Sequence, residues 1–134
     1  MAMADQFTID IVRGKDYGTL KFDYGDVHVN TRCWWAPNNK ADAGTYTGAA
    51  TRMTNKKDGY DGKEREAIYF GQGVWMNGTR KSNDIFIHKG YSAGWSDGCI
   101  VADAQAVLSI WQRINPKEVY IVSINVSDEP SDQP

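Results

Sequence analysis

The sequence of 134 residues predicts a single, mainly β domain with one amphipathic helix packed on a sheet or sandwich. Three observations support this fold class. Short runs rich in β-branched and aromatic residues recur along the chain, and turn signals built from Gly, Asn and Asp separate them. A single segment, about residues 103–114, repeats its apolar residues at helical spacing. No internal repeat and no linker divides the sequence.

The first strands are predicted from alternation of apolar and polar residues. Residues 7–12 and 19–22 flank a glycine-bearing turn and predict a β-hairpin. Residues 27–35 form another extended run, with Cys33 on its more apolar face and His28 on its more polar face. We therefore expect Cys33 in the core and His28 at the surface.

The later strands are short and rich in apolar residues. They are predicted at residues 45–53, 67–70, 74–76, 85–88 and 119–126. The segment 55–66 between two of them is charged and contains glycine. It predicts a solvated loop whose charges serve solubility rather than binding.

The predicted helix has a clear beginning and end. Asp103 is a favourable N-cap, and Pro116 prevents continuation of the helix. The apolar residues between them lie at i, i+3, i+4, i+7 and i+10: Ala104, Val107, Leu108, Trp111 and Ile114. This stripe predicts a helix that buries one face in the core.

Composition narrows the class of protein. The hydrophobic fraction of 41% and the charged fraction of 24% are those of an ordinary globular protein, which excludes a wholly disordered or fibrous chain. We place one domain at residues 5–127 and expect a disordered polar tail at residues 128–134. The net charge of −2, with Lys and Arg scattered, argues against nucleic-acid binding.

The cysteines and histidines show no metal-ligand spacing, so we expect neither a metal nor another cofactor. A disulfide between Cys33 and Cys99 is an alternative that would withdraw both thiols from chemistry. We expect the two thiols to be separate.

The first residues carry no signal for general secretion. Residues 1–6 lack a basic region and an apolar core, so we expect synthesis in the cytoplasm without a signal peptide. No segment has the length and apolarity of a membrane span, and membrane insertion is not expected.

Cys99 and His88 are the candidate catalytic pair. His88 ends an apolar run, and Cys99 follows eleven residues later in the string Ser-Asp-Gly-Cys-Ile. A thiol reacts as the thiolate, and an imidazole held at a strand end is a common means of forming one. Gly98 permits a sharp turn that leaves its own N–H and that of Cys99 free to face an oxyanion. The alternative is that Cys99 is a small buried hydrophobe.

The string from His88 to Ile100 resembles the active-site signature of the L,D-transpeptidase catalytic domain, the YkuD-like fold. In that family a His at a strand end precedes a Ser-x-Gly-Cys-Ile/Val segment. The segment Ala43-Gly44-Thr45-Tyr46 is similar to the family's Pro-x-Gly-x-Phe/Tyr turn, with Ala43 where Pro is usual. The resemblance spans nearly the whole chain and implies a β-sandwich or barrel with the helix packed on it.

The sequence departs from the family pattern at two positions. Asp97 stands where His is common, and Val101 stands where Arg often follows the cysteine. The interval from His88 to Cys99 is also shorter than usual. These features are similar to the short, single-domain branch found among type VI secretion effectors and phage-encoded wall enzymes.

The resemblance implies an enzyme that acts on peptidoglycan stem peptides, at the bond between the L-centre of meso-diaminopimelate and a terminal D-alanine. Cys99 would be the nucleophile, His88 the base, and the N–H groups of Cys99 and Gly98 the oxyanion donors. Water would give L,D-carboxypeptidase activity, a D-amino acid would give exchange, and a second stem would give a 3-3 crosslink. The implied place of action is the periplasm or cell wall, and an immunity or delivery protein is a further expected partner.

Four residues near the cysteine are candidates for substrate binding, each with a structural alternative. Ser96 either contacts substrate or caps the turn, and Asp97 either contacts the substrate's ammonium or is an exposed carboxylate without a role. Tyr91 and Trp95 would wall a groove, although packing beneath the loop is the stronger alternative for Trp95.

Two other functions are alternatives to this one. In papain-like enzymes the cysteine precedes its histidine, and here the order is reversed. A non-catalytic β-domain would instead bind glycan or serve as a virion component through its tryptophans, Trp34, Trp35, Trp75 and Trp95. Exposure of these four side chains beside an inaccessible Cys99 would favour that alternative.

Overall fold

A computed structural model describes residues 7–129 of the chain. Within this range the strands are β1 (Phe7–Arg13), β2 (Gly18–Tyr24), β3 (Val27–Trp34), β4 (Gly44–Met53), β5 (Arg65–Tyr69), β6 (Val74–Met76), β7 (Arg80–Ser82), β8 (Phe86–Lys89), β9 (Ile100–Ala102) and β10 (Val122–Asp128). The α-helix α1 is Ala104–Arg113, and a short 3₁₀ turn is Ala93–Trp95.

Eight strands close into a barrel in the order β1, β10, β4, β5, β8, β9, β3, β2. Neighbouring strands are antiparallel except for β1 with β10 and β8 with β9, which are parallel. β6 and β7 form a separate hairpin. Closure pairs the edges of the outer strands with each other, so the barrel presents no open edge of these eight strands. The predicted mainly β fold is confirmed as a barrel.

Alternation of apolar residues fills the barrel. Buried side chains of β1 meet those of β2 in the core: Phe7, Ile9, Ile11, Leu20 and Phe22. Each such side chain stabilises the fold by roughly 1.5–3 kcal/mol on burial. Cys33 lies in the same core and His28 is exposed, which confirms both predictions.

The helix begins at its predicted cap, where the Asp103 carboxylate accepts a hydrogen bond from the Ala106 N–H at 3.0 Å. Its buried face, which includes Val107 and Leu108, packs on β3, β5 and β8. The prediction of one helix packed on the β domain is therefore confirmed. Ile114 has extended backbone, so the helix ends one residue before its predicted end.

Two short strands were not predicted. β7 and β9 have three residues each, which is too few for a pattern of alternation to be recognised. β9 forms because it fits between β8 and β3 and supplies the hydrogen bonds that both neighbours lack on that side.

The last strand corrects the predicted boundary of the tail. It starts at Val122 and continues through Asp128, which was assigned to the disordered tail. The reason is tertiary: Asp128 pairs with the buried Arg13 guanidinium at 2.7 Å, and the Glu129 N–H donates to the Arg13 carbonyl at 2.9 Å. Residues 130–134 of the predicted tail and residues 5–6 of the predicted domain lie outside the described range.

Among residues 7–129, no helix has the length and apolar character needed to cross a membrane.

Candidate active site

The parallel pairing of β8 and β9 brings His88 and Cys99 to one place on the barrel. His88 lies opposite Val101, so Cys99, two residues earlier, lies just before β9 and opposite Phe86. Because side chains alternate along strands, this register puts Cys99 on the same face of the sheet as His88. Cys99 and His88 are therefore diagonal neighbours on one face of two adjacent strands.

Gly98 forms the turn that presents Cys99. Its φ of +107° is a conformation that residues with a side chain rarely adopt. A Cβ at this position would also lie 3.0 Å from Asn39 Nδ2 and 3.5 Å from Met76 Cε. Glycine is therefore required here both by its backbone conformation and by the space around it.

Ser96 ties the two ends of this turn together. Its hydroxyl donates to the Cys99 carbonyl oxygen at 2.5 Å and accepts from the Gly98 N–H at 3.3 Å. The Gly98 N–H must leave this contact before it can serve an oxyanion. Of the two predicted oxyanion donors, Cys99 N–H is the one that this serine does not engage.

The Cys99 thiol is buried, with 6% of its surface exposed, and donates to the Asp84 carbonyl oxygen at 3.7 Å. Burial raises its pKa, because a thiolate loses solvation there. The Phe86 backbone N–H lowers the pKa, the Asp97 and Asp84 carboxylates raise it, and the Arg65 guanidinium lowers it. The net effect keeps Cys99 as a thiol at neutral pH.

The His88 ring is oriented by the backbone of its own strand. Nδ1 donates to the Lys89 carbonyl oxygen at 2.8 Å, which assigns the proton to Nδ1 and leaves the lone pair on Nε2. Burial lowers the pKa of His88, and the contact with Lys89 acts in the opposite direction. His88 is therefore a neutral imidazole near pH 7, able to accept a proton on Nε2.

Within the described residues, no hydrogen bond joins the thiol of Cys99 to His88, since the partner of Sγ is the Asp84 carbonyl. The one side-chain torsion that can reorient the thiol is χ1. The register supplies the common face, and a nucleophile–base contact requires the thiol to leave the Asp84 carbonyl.

Arg65 adds a positive charge to this site, and sequence reasoning missed it. Its Nη1 lies 3.4 Å from His88 Nδ1, while Nε and Nη2 donate to Asp58 at 2.9 and 2.7 Å. Arg65 and Asp58 both lie within segment 55–66, the predicted solvated loop. The signal available in the sequence was spacing. Arg65 begins β5 two residues before Ala67, and the β5–β8 register places Ala67 opposite His88, so Arg65 lies on the same sheet face as His88.

The loop from Gly90 to Asp97 covers the site. Gly90 packs so closely on Trp95 and Val101 that a Cβ there would lie 2.7 Å from both. Val101, the residue where the family often has Arg, is fully buried under this loop.

The predicted substrate-binding side chains of the loop face outward. Trp95 is 48% exposed rather than packed beneath the loop, and its ring meets Tyr91 edge to face at 5.8 Å. The Tyr91 hydroxyl accepts from the Ala104 N–H at 3.3 Å. Asp97 is exposed at the rim, and Ser96 faces inward as described above. The two aromatic rings and Asp97 therefore form the exposed part of the loop that precedes Cys99.

The four tryptophans of the glycan-binding alternative do not share one exposed surface. Trp75 and Trp95 are exposed, whereas Trp35 is buried with Arg13 5.8 Å from its ring centre and Trp34 is half-buried. The burial of Cys99 was an expectation of that alternative, but exposure of all four tryptophans was its other requirement and is not met.

A shallow aromatic cavity lies two strands away from Cys99 in the same row. Phe86 is opposite Tyr69, and Tyr69 is opposite Ala49, so these residues line up across β8, β5 and β4. The cavity beyond Tyr69 has a volume of about 210 Å³ and is lined by Ala49, Thr51, Tyr69, Glu118 and Tyr120. Tyr69 is held in place because its hydroxyl donates to the Asn83 carbonyl at 2.6 Å.

A second cavity of about 290 Å³ lies near the start of α1 and includes Asp58, Glu66 and Lys89 in its lining. Its residues are beside the candidate site without including Cys99 or His88. Among residues 7–129, no three His, Cys, Asp or Glu side chains are grouped closely enough to hold a metal ion. Cys33 and Cys99 are both free thiols.

These features describe a buried thiol, a neutral imidazole with a free Nε2, and a fixed guanidinium at one end of a parallel strand pair. Such a set is suited to nucleophilic attack by sulfur with proton transfer to nitrogen.

Comparison with known proteins agrees with this fold. The family model described as the L,D-transpeptidase catalytic domain, YkuD, matches residues 11–122. No curated protein and no solved structure gives a significant match to the chain. The matched range includes the barrel from β1 to the start of β10 together with His88 and Cys99. The chain belongs to the YkuD family of L,D-transpeptidase catalytic domains, whose members are cysteine enzymes of peptidoglycan.

Proposed function

We propose that this protein cleaves the bond between the L-centre of meso-diaminopimelate and the terminal D-alanine of peptidoglycan stem peptides, with Cys99 as nucleophile and His88 as base. Membership of the family supports the class of substrate and reaction. The observation that carries the assignment to these residues is the β8–β9 register, in which both side chains share one sheet face.

The first half of the reaction forms a thioester. His88 Nε2 takes the proton from Cys99 Sγ as sulfur attacks the carbonyl carbon, and the carbonyl π electrons move to oxygen. The Cys99 N–H stabilises this oxyanion, joined by the Gly98 N–H once it leaves Ser96. The tetrahedral intermediate collapses, the C–N bond breaks, and D-alanine leaves with the proton held by His88.

The second half releases the acyl group. An acceptor binds where D-alanine left, and His88 takes its proton as it attacks the thioester. The C–S bond then breaks and the thiolate of Cys99 recovers the proton from His88. Water as the acceptor gives a tripeptide, a D-amino acid gives exchange, and the amine of a second stem gives a 3-3 crosslink.

Neutral starting states suit this sequence of proton transfers. Because burial raises the pKa of Cys99 and lowers that of His88, proton transfer accompanies the attack instead of preceding it. The same depressed pKa makes the protonated His88 a strong acid toward the leaving amine.

The stem peptide has a surface available on either side of the thiol. The aromatic row from Phe86 to Tyr69 leads to the cavity lined by Tyr120 and Glu118, and the rim of Tyr91 and Trp95 lies on the loop side. We assign the chain of the stem to the first surface and the rim of the loop to the departing D-alanine.

The direct test incubates the protein with a disaccharide-tetrapeptide and detects D-alanine release by mass spectrometry. A labelled D-amino acid in the same reaction reports exchange, and a second unlabelled stem reports crosslinking. Cys99→Ala must abolish all three products, whereas the matched variant Cys33→Ala, whose thiol is buried on another strand, must retain them. Absence of all products with wild-type protein, together with no reaction of Cys99 with iodoacetamide, contradicts the proposal and leaves the non-catalytic alternative.

We propose further that the protein acts in the periplasm or cell wall as an antibacterial effector or phage wall enzyme. Its expected partners there are the stem peptide and an immunity or delivery protein. The test expresses the chain in a Gram-negative host with and without an added export signal. Loss of cell shape or lysis only with the export signal, and only with Cys99 intact, is the expected result. Equal growth of both strains contradicts this role.

A further inference from the structure

The Arg65 side chain is fixed beside the candidate site by a fork of hydrogen bonds. Nε and Nη2 donate to the two Asp58 carboxylate oxygens at 2.9 and 2.7 Å, and the Arg65 side chain is 13% exposed. A guanidinium held at two of its three nitrogens by one carboxylate has little freedom to turn away. The remaining nitrogen, Nη1, points to His88 and lies 3.4 Å from Nδ1.

This short approach is not a hydrogen bond. His88 Nδ1 already carries a proton that it donates to the Lys89 carbonyl, so it has no lone pair for Arg65. Two hydrogen-bond donors therefore face each other. Their proximity is maintained by the Asp58 fork and the β5–β8 pairing rather than by mutual attraction.

We propose that Arg65 is a positioning residue for the Cys99–His88 pair, and that its fixed positive charge favours the anionic sulfur and the neutral imidazole. The proposal rests on the function assigned above to that pair. Val101 on β9 is apolar and buried and supplies no charge. The positive charge comes instead from Arg65 on β5, the strand that pairs with β8 on the side opposite β9.

The charge acts in a defined direction on each partner. Arg65 lowers the pKa of Cys99, which the Asp84 and Asp97 carboxylates raise. It also lowers the pKa of His88, together with Lys56, whereas Asp58 raises it. These groups are the charges that face the pair from β5, from the loops before and after β8, and from the β4–β5 connection.

Burial raises the pKa of the Cys99 thiol and the charge of Arg65 lowers it, whereas both lower the pKa of the His88 imidazole. Once sulfur attacks, the negative charge passes from sulfur to the substrate oxygen, and the protonated His88 is repelled by the guanidinium that lies 3.4 Å from its Nδ1. Arg65 would thus favour both bond formation and delivery of the proton to the leaving amine.

Arg52 is a matched control on the neighbouring strand. It makes the same two-nitrogen contact with a carboxylate, to Asp61 at 2.9 and 3.1 Å, but does not contact His88. Arg52→Met and Arg65→Met therefore each break one bidentate ion pair of the same hairpin. A loss of activity that both variants share reports the stability of the hairpin. A loss of activity in Arg65→Met alone reports the charge of Arg65 at the site.

The experiment measures the rate of Cys99 alkylation by iodoacetamide against pH, with Cys99→Ala as the blank. In Arg65→Met the midpoint of this curve must move to higher pH, and in Arg52→Met and Arg65→Lys it must stay near the wild-type value. A change in access to the thiol alters the rate and leaves the midpoint in place. The His88 imidazole, followed by NMR in the same variants, must likewise titrate at higher pH in Arg65→Met.

With peptidoglycan substrate, Arg65→Met is expected to lower kcat/KM about tenfold, mainly through kcat, while Arg65→Lys retains most of it. Unchanged midpoints for both groups in folded Arg65→Met overturn the proposal. Because alkylation needs no peptidoglycan, a shift in the midpoint together with no release of D-alanine by wild type supports the role of Arg65 and contradicts the assigned reaction.

Discussion

The Nδ1 atom of His88 lies 2.8 Å from the carbonyl oxygen of Lys89, the next residue along β8. This contact assigns the tautomer, because a carbonyl oxygen only accepts hydrogen bonds. Nε2 is left as the atom that can take a proton from Cys99. The backbone at the end of the strand thus fixes the orientation and tautomer of the base.

Replacing His88 by Asn tests this division of roles. The Asn amide reproduces the donor at the Nδ1 position and offers no group that accepts and returns a proton. We expect D-alanine release to fall about 10²- to 10⁴-fold with the melting temperature nearly unchanged. Activity within tenfold of wild type would contradict the assignment of His88 as base. Replacing the exposed His28 by Asn is the matched control and should leave the rate intact.

The pH dependence of kcat/KM follows from the two shifted groups. As pH falls through the pKa of His88, which burial lowers from 6.5, the ring becomes protonated and cannot accept the proton of Cys99. At high pH, above the usual 9.0 that burial raises for Cys99, the pair has lost the proton needed by the leaving amine. We expect a broad plateau between these limits in D-alanine release. A half-maximal point of the acid limb above pH 6.5 would contradict the neutral-pair mechanism.

Gly98→Ala combines two effects at the turn before Cys99. The φ of +107° strains any side chain, and the added Cβ meets Asn39 Nδ2 at 3.0 Å. We expect a loss of about 1–3 kcal/mol in the free energy of unfolding and a clear loss of kcat, measured by urea denaturation and D-alanine release. Gly25→Ala is the control, since its φ is +59° with no atom within 4 Å of the added Cβ. Gly25→Ala should lose only about 1 kcal/mol and keep its activity, and an equal loss of activity in both variants would refute a local role for Gly98.

Ser96→Ala removes the hydroxyl that joins the Cys99 carbonyl to the Gly98 N–H. We expect the unfolding free energy to fall by about 1–2 kcal/mol and kcat to fall severalfold, with little change in KM, because the turn loses its fixed shape. Ser92→Ala is the matched change in the same loop, where the hydroxyl makes no capping hydrogen bond. A rise in KM alone for Ser96→Ala would instead assign this hydroxyl to substrate binding.

Tyr120→Ser tests the surface assigned to the stem peptide. Tyr120 is half-exposed beside the cavity of about 210 Å³, and its ring centre lies 6.3 Å from that of Tyr69. We expect KM for the disaccharide-tetrapeptide to rise about fivefold or more as apolar contact area is lost, with thiol alkylation unchanged. Tyr17→Ser removes an equally exposed tyrosine that stacks on Arg32 elsewhere and should not alter KM. Equal KM values in the two variants would rule out this surface.

Local pattern was sufficient for most of the fold. Alternation in β1 to β3 and the apolar stripe after Asp103 predicted the strands, the core position of Cys33 and the helix, because each depends on residues near in sequence. The three-residue β9 and the extension of β10 to Asp128 were not predictable in this way. Both depend on partners far along the chain. β9 depends on the edges of β3 and β8, and the end of β10 depends on the buried Arg13.

The sequence by itself supplied the candidate reactive groups of the site. Residue type and spacing singled out His88 at a strand end and Cys99 after glycine, and the family match spans both residues. The tertiary structure alone decided what surrounds them. Arg65 and Asp58 approach His88 from a hairpin 23 residues or more away in sequence, because the β5–β8 register brings that hairpin beside His88. Trp95 faces outward, which residue type alone did not indicate. Proximity across strands depends on that register, and no local pattern encodes it.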